Sequence, residues 1–277
     1  MWCFFPRPPV THPALPTPLR MTSNLTSLFA LAMLAGAFVV ALGAFAVKTS
    51  LTGRPQTERV TKQGGTPLLG EYFMEYGLWV FRPAVRACVR LGIHPDALSW
   101  TSLVLHLVAA VAVASGWFGL GGWILVVGAM CDSLDGAVAR ARDLASDAGE
   151  VLDAVVDRWA EMAVFFGFAY YYRNDPVGFV LAAAACAGAV MVSYARAKGE
   201  AMGIDTRGGL MQRHERAAYL CLSTTLSPLV AYWWEPGAEH PRYHLVLAAL
   251  ALIAVLANLT GIRRTAFVRA ELRRRGR

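Results

Sequence analysis

Residues 132–157, DSLDGAVARARDLASDAGEVLDAVVD, decide both the fold and the chemistry of this chain. Their spaced residues follow the pattern D-x2-D-G-x2-A-R-x8-G-x3-D-x3-D, which begins at Asp132 and ends at Asp157. The stretch lies beside long apolar runs, and an ionised side chain deep in a bilayer costs about 2.5–3.5 kcal/mol. The four spaced aspartates therefore need a partner that compensates their charge, and a bound divalent cation would do so.

The first half of the stretch places its key residues on one face of a helix. Asp132, Asp135, Gly136 and Ala139 follow the spacing i, i+3, i+4, i+7, which is one stripe of an α-helix. The two small residues leave room for a ligand backbone or a diphosphate to approach closely. Arg140 follows at the end of the stripe, with a planar donor fork suited to phosphate oxygens.

The second half supplies another one-sided pair. Asp153 and Asp157 are four residues apart, and Gly149 permits a tight turn before their helix. Two antiparallel helix ends would bring the four carboxylates together, and an oxygen-only ligand set favours Mg²⁺ or Mn²⁺ over zinc. Ion pairs with Arg140 or Arg158 are the structural alternative for any one aspartate. Eight specified positions at fixed spacing favour a metal site.

The composition indicates an integral membrane protein. Of the 277 residues 56% are hydrophobic and 16% are charged, whereas soluble domains carry about 25% charged residues. The net charge of +7 arises from Lys and Arg grouped in certain connections. Membrane orientation explains this grouping better than nucleic-acid binding, and we expect no nucleic-acid partner.

Apolar runs predict an all-α chain with an extra N-terminal membrane helix before a six-helix bundle. The first run, Leu28 to Val47, is long enough to cross a bilayer core of about 30 Å, with a cleaved signal peptide as the alternative. Residues 71–92 carry Arg82, Arg86 and Arg90 at i, i+4, i+8, which predicts a helix lying along the membrane surface. The six further spans are predicted at Leu98–Trp117, Leu120–Arg140, Val151–Tyr172, Val177–Ala197, Ala217–Trp234 and His244–Ile262.

These patterns divide the chain into five parts. We expect a disordered or mis-called tail at 1–24 (Met21 is an alternative start of translation), a membrane helix at 25–47, a cytoplasmic linker at 48–70, the main domain at 71–265 and a basic cytoplasmic tail at 266–277.

Lys and Arg in the connections predict the orientation. They are frequent in 48–94, in 196–216 and after 262, whereas the alternate connections hold only Arg173 or Arg242. By the positive-inside rule the basic connections face the cytoplasm. We therefore expect a multi-pass protein of the inner cell membrane whose aspartates open to the cytoplasm.

Residues 132–157 resemble the signature of the CDP-alcohol phosphotransferases at every specified position. These are integral membrane enzymes of phospholipid synthesis, and the resemblance covers residues 71–265. It implies that Asp132, Asp135 and Asp153 ligate Mg²⁺ or Mn²⁺. It also implies a homodimer, a CDP-diacylglycerol donor, and Asp157 as the general base, with ligation of a second ion by Asp157 left open. The CDP-binding set that it implies is Asp132, Asp135, Gly136, Ala139, Arg140 and Gly149.

The resemblance also implies the reaction. An acceptor hydroxyl attacks the phosphorus that bears the lipid, and CMP leaves. A Pro-Asn element of the family, which contributes to nucleotide binding, is replaced here by Pro95-Asp96.

Residues 193–216, SYARAKGEAMGIDTRGGLMQRHER, bear on the acceptor. They are similar to the S-Y-x-K-A-R-A-E and R-x-E-R elements of bacterial phosphatidylinositol-phosphate synthases, although Arg196 and Lys198 invert the usual order. Cations near the aspartates predict a phosphorylated polyol, with inositol phosphate as the first choice and glycerol 3-phosphate as the alternative. The predicted acceptor-binding residues are Arg196, Lys198, Arg213 and Arg216.

Two other functions fit the sequence less well. A polytopic Mg²⁺-dependent prenyltransferase would need a second Asp-rich motif, but only Asp175 and Asp205 follow Asp157. A transporter would place its ionisable residues near the midplane of repeated halves, and no internal repeat of useful strength is visible. We also expect His106 to be a packing residue and Glu161 to pair with a neighbouring helix or to tune the field of the site.

Overall fold

The computed structural model describes residues 40, 42–53, 71–206, 209, 211–238 and 240–276, and within these ranges it is helical without strands. A helical segment covers residues 42–52. The main helices are α1 (Glu71–Arg90), α2 (Pro95–Ala114), α3 (Phe118–Ala141), α4 (Asp147–Tyr171), α5 (Pro176–Ala201), α6 (Arg213–Trp234) and α7 (His244–Arg274).

Helices α2 to α7 occupy the positions of the six predicted spans, and the all-helical membrane architecture is confirmed. Among the described residues, α2, α3, α5 and α7 are long and apolar enough to cross a membrane. Helix α4 carries Asp157, Arg158 and Glu161 near its middle, and the apolar run of α6 is interrupted between Ser223 and Pro228. For these two helices a membrane crossing stays a prediction.

Helix α1 has the two-sided character that its arginine spacing predicts. Arg82, Arg86 and Arg90 are exposed along one side. Apolar residues of the other side, among them Val85, pack against Leu134 and other residues of α2 and α3. The helix therefore covers the bundle at the end of α3 that carries the aspartates.

Two helices continue past predicted segment boundaries, and the division of the chain into segments stays a prediction. The segment 42–52 continues past the predicted end at Val47, and Phe45 is fully buried against Tyr76 and Trp79 of α1, with ring centroids 5.7 and 5.6 Å away. Helix α7 continues through the boundary at 265 to Arg274. In both places the apolar run ends before the helix does. The predictions for residues 1–39 and 54–70 lie outside the described residues.

The caps of α4 and α6 determine where the site helices begin. Ser146 Oγ accepts a hydrogen bond from the Gly149 N–H at 3.2 Å, which satisfies a free amide of the first turn of α4. At the start of α6 the Gln212 N–H donates to Glu215 Oε2 at 2.7 Å. These contacts fix the starts of the two helices that carry Asp153 and Arg213.

Aromatic residues close the bundle at the end remote from the aspartates. The ring of Phe118 stacks on Tyr243 with centroids 4.0 Å apart, and the Tyr172 hydroxyl donates to the Arg242 carbonyl at 2.8 Å. Burial raises the pKa of Asp175, but the contacts with Arg242 and the hydrogen bonds from the Val177 and Gly178 amides together outweigh it and hold the pKa below its usual value. This end is thus fixed by packing and by an ion pair.

Helices α3 and α6 meet at a glycine, which gives a test of the packing. A Cβ atom at Gly122 would lie 2.5 Å from the Thr225 backbone nitrogen, so Gly122→Ala must separate the helices. We expect a loss of about 1–3 kcal/mol, seen as a lower melting temperature in detergent. Gly43→Ala is the matched control, because among the described residues nothing lies within 4 Å of a Cβ atom at that position. Equal melting temperatures for the two variants would contradict this packing.

Candidate active site

Three of the four spaced aspartates form a compact oxygen cluster. One carboxylate oxygen from each of Asp132, Asp135 and Asp153 lies within 4.8 Å of the others. Opposite ligands of a Mg²⁺ ion are about 4.2 Å apart, so small side-chain rotations bring all three into one coordination shell. The donor set and its spacing fit a hard divalent cation.

Asp135 is held in place by the neighbouring helix α2. The Ser99 hydroxyl donates to Asp135 Oδ2 at 2.6 Å, and both side chains are buried. The Gly136 N–H donates to the other carboxylate oxygen. Sequence analysis did not identify Ser99, whose only signal was its place one turn after the Pro95-Asp96 element. Its hydrogen bond fixes the rotamer of a predicted metal ligand.

Arg213 joins the predicted general base to the metal cluster. Its Nη2 donates to Asp132 Oδ1 at 2.9 Å and also to Asp157 Oδ1, while its Nη1 donates to Asp132 Oδ2 at 3.3 Å. Asp157 is therefore paired with the guanidinium of Arg213, and it does not belong to the oxygen cluster of Asp132, Asp135 and Asp153. Sequence analysis assigned Arg213 to acceptor binding and did not predict its direct contact with the aspartates.

The predicted CDP face carries Arg140 folded back over Gly136. A Cβ atom at position 136 would lie 3.2 Å from Arg140 Nη1, so the glycine leaves the space that this guanidinium occupies. Ala139 is half-buried on the same helix. Gly149 lies in the capped first turn of α4. The small residues thus leave the helix surface between Arg140 and the aspartates without bulky side chains.

Arg142 ties the connection between α3 and α4 to the start of α2. Its Nη1 donates to the carbonyl oxygens of Gly92 and Ile93 at 3.1 and 2.8 Å. The next residue, Asp143, has a φ of 55°. This left-handed turn reverses the chain between the two pairs of aspartates.

The other predicted acceptor residues lie in different environments. Arg196 is exposed and its Nε donates to Glu200 Oε1 at 2.8 Å, one turn further along α5. Lys198 is also exposed, in the last turn of α5. Both cations are open to solvent at the end of the bundle that carries the aspartates.

Arg216 differs from the prediction that it contacts the acceptor. Its side chain has 0% exposure and pairs with Glu161, with Nε 2.7 Å from Oε1 and Nη2 3.0 Å from Oε2. A guanidinium without exposed surface offers nothing to a soluble ligand. The structure thus assigns Arg216 a partner within the protein, and the pairing expected for Glu161 is present.

A pocket of about 40 Å³ lies behind Arg213, inside the bundle. His106 lines it, and the Nδ1 of that residue is 2.8 Å from the Ser102 carbonyl oxygen, as expected for a packing residue. Glu161 and Leu220 face the same space from α4 and α6. The volume suits a few water molecules.

Comparison with known proteins places this geometry in context. Residues 92–261 match the family model described as CDP-alcohol phosphatidyltransferase. A phosphatidylinositol phosphate synthase of Cutibacterium acnes is 28% identical over 203 residues, which cover 70% of this chain and 97% of that protein.

Two solved structures have the same fold. The Mycobacterium tuberculosis phosphatidylinositol phosphate synthase with CDP-DAG bound is 26% identical, with a TM-score of 0.58 over 67% of this chain and 92% of that one. The same enzyme in complex with manganese and citrate gives a TM-score of 0.59 at 26% identity, over 67% of this chain and 87% of that one.

Proposed function

The chain belongs to the CDP-alcohol phosphatidyltransferase family, and we propose that it transfers the phosphatidyl group of CDP-diacylglycerol to inositol phosphate with release of CMP. The observation that carries the choice of acceptor is the contact of Arg213 with Asp157. An acceptor whose phosphate binds near Arg213 would have its hydroxyl group beside the proposed base. The name of the Cutibacterium acnes relative and the CDP-DAG in the mycobacterial structure support the same pair of substrates.

The aspartates divide the work at the donor. We assign Asp132, Asp135 and Asp153 as ligands of Mg²⁺ or Mn²⁺, in agreement with their oxygen cluster. When bound, the cation neutralises the diphosphate and the departing phosphate oxygen. Arg140 and the small residues Gly136 and Ala139 would bind the CDP group.

Asp157 is the proposed general base. Its carboxylate takes the proton of the acceptor hydroxyl as that oxygen bonds to the lipid-bearing phosphorus. The bond from this phosphorus to the CMP oxygen breaks, and the electron pair leaves with CMP. The hydrogen bond from Arg213 orients the carboxylate of Asp157.

Arg213, Arg196 and Lys198 form the proposed entrance for the acceptor. Arg213 lies next to the base, and the other two are exposed on α5. Cations in a cleft raise the local concentration of an anionic substrate. The acceptor would enter from the cytoplasm, since the positive-inside rule places the basic connections there. We extend the proposal to the inner cell membrane and to a homodimer, as the family resemblance implies.

The choice of acceptor is tested with purified enzyme, CDP-diacylglycerol and Mg²⁺. Loss of charge-assisted hydrogen bonds costs about 1.5–3 kcal/mol, so we expect kcat/KM for inositol phosphate to exceed that for inositol about 100-fold. The products are identified by mass spectrometry. A preference for glycerol 3-phosphate would replace the acceptor but keep the reaction class, whereas a preference for inositol or serine would contradict a phosphate-binding role of Arg213.

A further inference from the structure

Helices α4 and α6 are joined by two ion pairs that lie about one helical turn apart. On α4, Asp157 and Glu161 are separated by four residues; on α6, Arg213 and Arg216 are separated by three. Asp157 pairs with Arg213, and Glu161 pairs with Arg216. We call the first the outer pair and the second the inner pair.

The inner pair has the more deeply buried arginine. The side chains of Arg216 and Glu161 are 0% and 11% exposed, against 34% for Arg213 and 8% for Asp157. Each carboxylate oxygen of Glu161 accepts a hydrogen bond from a different nitrogen of Arg216, which fixes the carboxylate plane relative to the guanidinium plane. A buried ion pair is weak evidence for stability, because well-packed apolar residues often serve as well. Apolar residues would not reproduce the two-point geometry of the ion pair.

Apolar packing between α4 and α6 is interrupted at this depth. Helix α6 packs mainly on α3 and α7, and α4 packs on α2 and α5. The pocket of about 40 Å³ lies between them, lined by Ala160 and Val164 of α4 and by Ala217 and Leu220 of α6. The two ion pairs are therefore the polar contacts that join α4 to α6 near the site.

The outer pair has competitors during the reaction. Asp132, which Arg213 also contacts, belongs to the oxygen cluster that fits a cation, and a phosphate group would attract the same guanidinium. Glu161 and Arg216 face neither competitor, because they lie one turn deeper and are buried.

We propose that Glu161 and Arg216 are positioning residues, whose pair holds α6 in register with α4 so that Arg213 faces Asp157 throughout the reaction. The proposal rests on the proposed function, because its test measures the kinetics of that reaction. It assigns to Arg216 an effect through Arg213 rather than a contact with the acceptor.

A double-mutant cycle separates this role from a general structural one. Misplacement of a reacting group by about 1 Å costs up to about 100-fold. We expect Glu161→Gln to lower kcat/KM for the acceptor about 30-fold and to change KM for CDP-diacylglycerol less than about twofold. In an Arg213→Lys background the same substitution should cost no more than about twofold, because residues that act through one group are not additive.

The second arm tests the geometry and supplies a matched control. Arg216→Lys keeps the charge but loses the two-point contact, and we expect it to fall between wild type and Glu161→Gln. Arg242→Gln removes a more exposed arginine–carboxylate pair at the opposite end of the bundle, where Nε and Nη2 of Arg242 both contact Asp175 Oδ2. This control should keep wild-type kinetics.

The outcomes are distinct. Additive losses in the cycle, or equal losses for both substrates, would overturn the positioning role. If Glu161→Gln does not fold, Glu161→Asp takes its place in the cycle, and failure of both to fold would show a structural role only. If inositol phosphate is not a substrate, the proposed acceptor fails, and the cycle is run with whichever acceptor the enzyme uses.

Discussion

Replacing Asp157 by Asn is expected to lower the rate of CMP release about 1,000-fold, while CDP-diacylglycerol still binds. A positioned general base contributes about 100- to 10,000-fold. An amide has nearly the same shape as the carboxylate and its oxygen still accepts the hydrogen bond from Arg213, but it does not take up the proton of the acceptor hydroxyl. The contacts of Arg213 with Asp132 remain, so the site keeps its outline.

The experiment measures turnover and binding separately. CMP release is followed with saturating substrates, and CDP-diacylglycerol binding by calorimetry in detergent. Asp175→Asn is the control, because that aspartate caps α5 at the far end and an Asn side chain caps almost equally well. Wild-type turnover of Asp157→Asn would exclude the general-base assignment.

The same variant addresses the second role left open for Asp157. Among the described residues, the three-aspartate cluster does not include Asp157. If this residue acts as the base alone, the Mn²⁺ affinity of Asp157→Asn should stay within about threefold of wild type. A decrease of about 100-fold or more, larger than the roughly tenfold loss expected when an outer contact is removed, would add metal ligation to its role.

Spacing along the chain was sufficient to predict the local architecture. The stripe at i, i+3, i+4, i+7 predicts which side of α3 carries Asp132 and Asp135, and the structure places them in one cluster with Asp153. The arginine repeat predicts the exposed side of α1. These predictions succeed because helical periodicity is a local property of the chain.

Contacts between distant residues were beyond the reach of spacing. Arg213 is 81 residues from Asp132 and 56 from Asp157. A cation in a basic connection looks equally suited to solvent, ligand or membrane surface. Arg216 was therefore assigned to the acceptor, since nothing in the sequence shows that Glu161, 55 residues away, buries it.

Hydropathy does not locate helix ends where apolar character and helical structure diverge. The apolar run of α7 ends near Ile262, but the helix continues to Arg274 with Val268 buried beside Gly199. Hydropathy locates the part of a helix that suits a bilayer. A helix with arginines on its solvent side extends beyond that part without an apolar signal.

Removal of divalent metal should abolish turnover, and Asp132→Asn should weaken metal binding. We expect excess EDTA to lower CMP release more than about 1,000-fold and added Mg²⁺ or Mn²⁺ to restore it, since three clustered carboxylates repel both one another and a diphosphate unless a cation is bound. Asp132→Asn removes a charged ligand, and we expect the Mn²⁺ concentration for half-maximal activity to rise about 100-fold. The affinity for CDP-diacylglycerol should fall with it.

Asp132 also pairs with Arg213, so its substitution removes both a metal ligand and an ion pair. Asp153→Asn separates these two effects. Asp153 belongs to the oxygen cluster, and the hydrogen bonds described for Arg213 go to Asp132 and Asp157. A similar rise in the Mn²⁺ requirement for both variants assigns the defect to metal binding. Ser99→Ala supplies a graded comparison, because it removes only the hydrogen bond that orients Asp135 and should raise the Mn²⁺ requirement about tenfold. Undiminished turnover in EDTA would refute the metal assignment for all three aspartates, because charge repulsion at the diphosphate would then be relieved by the arginines alone.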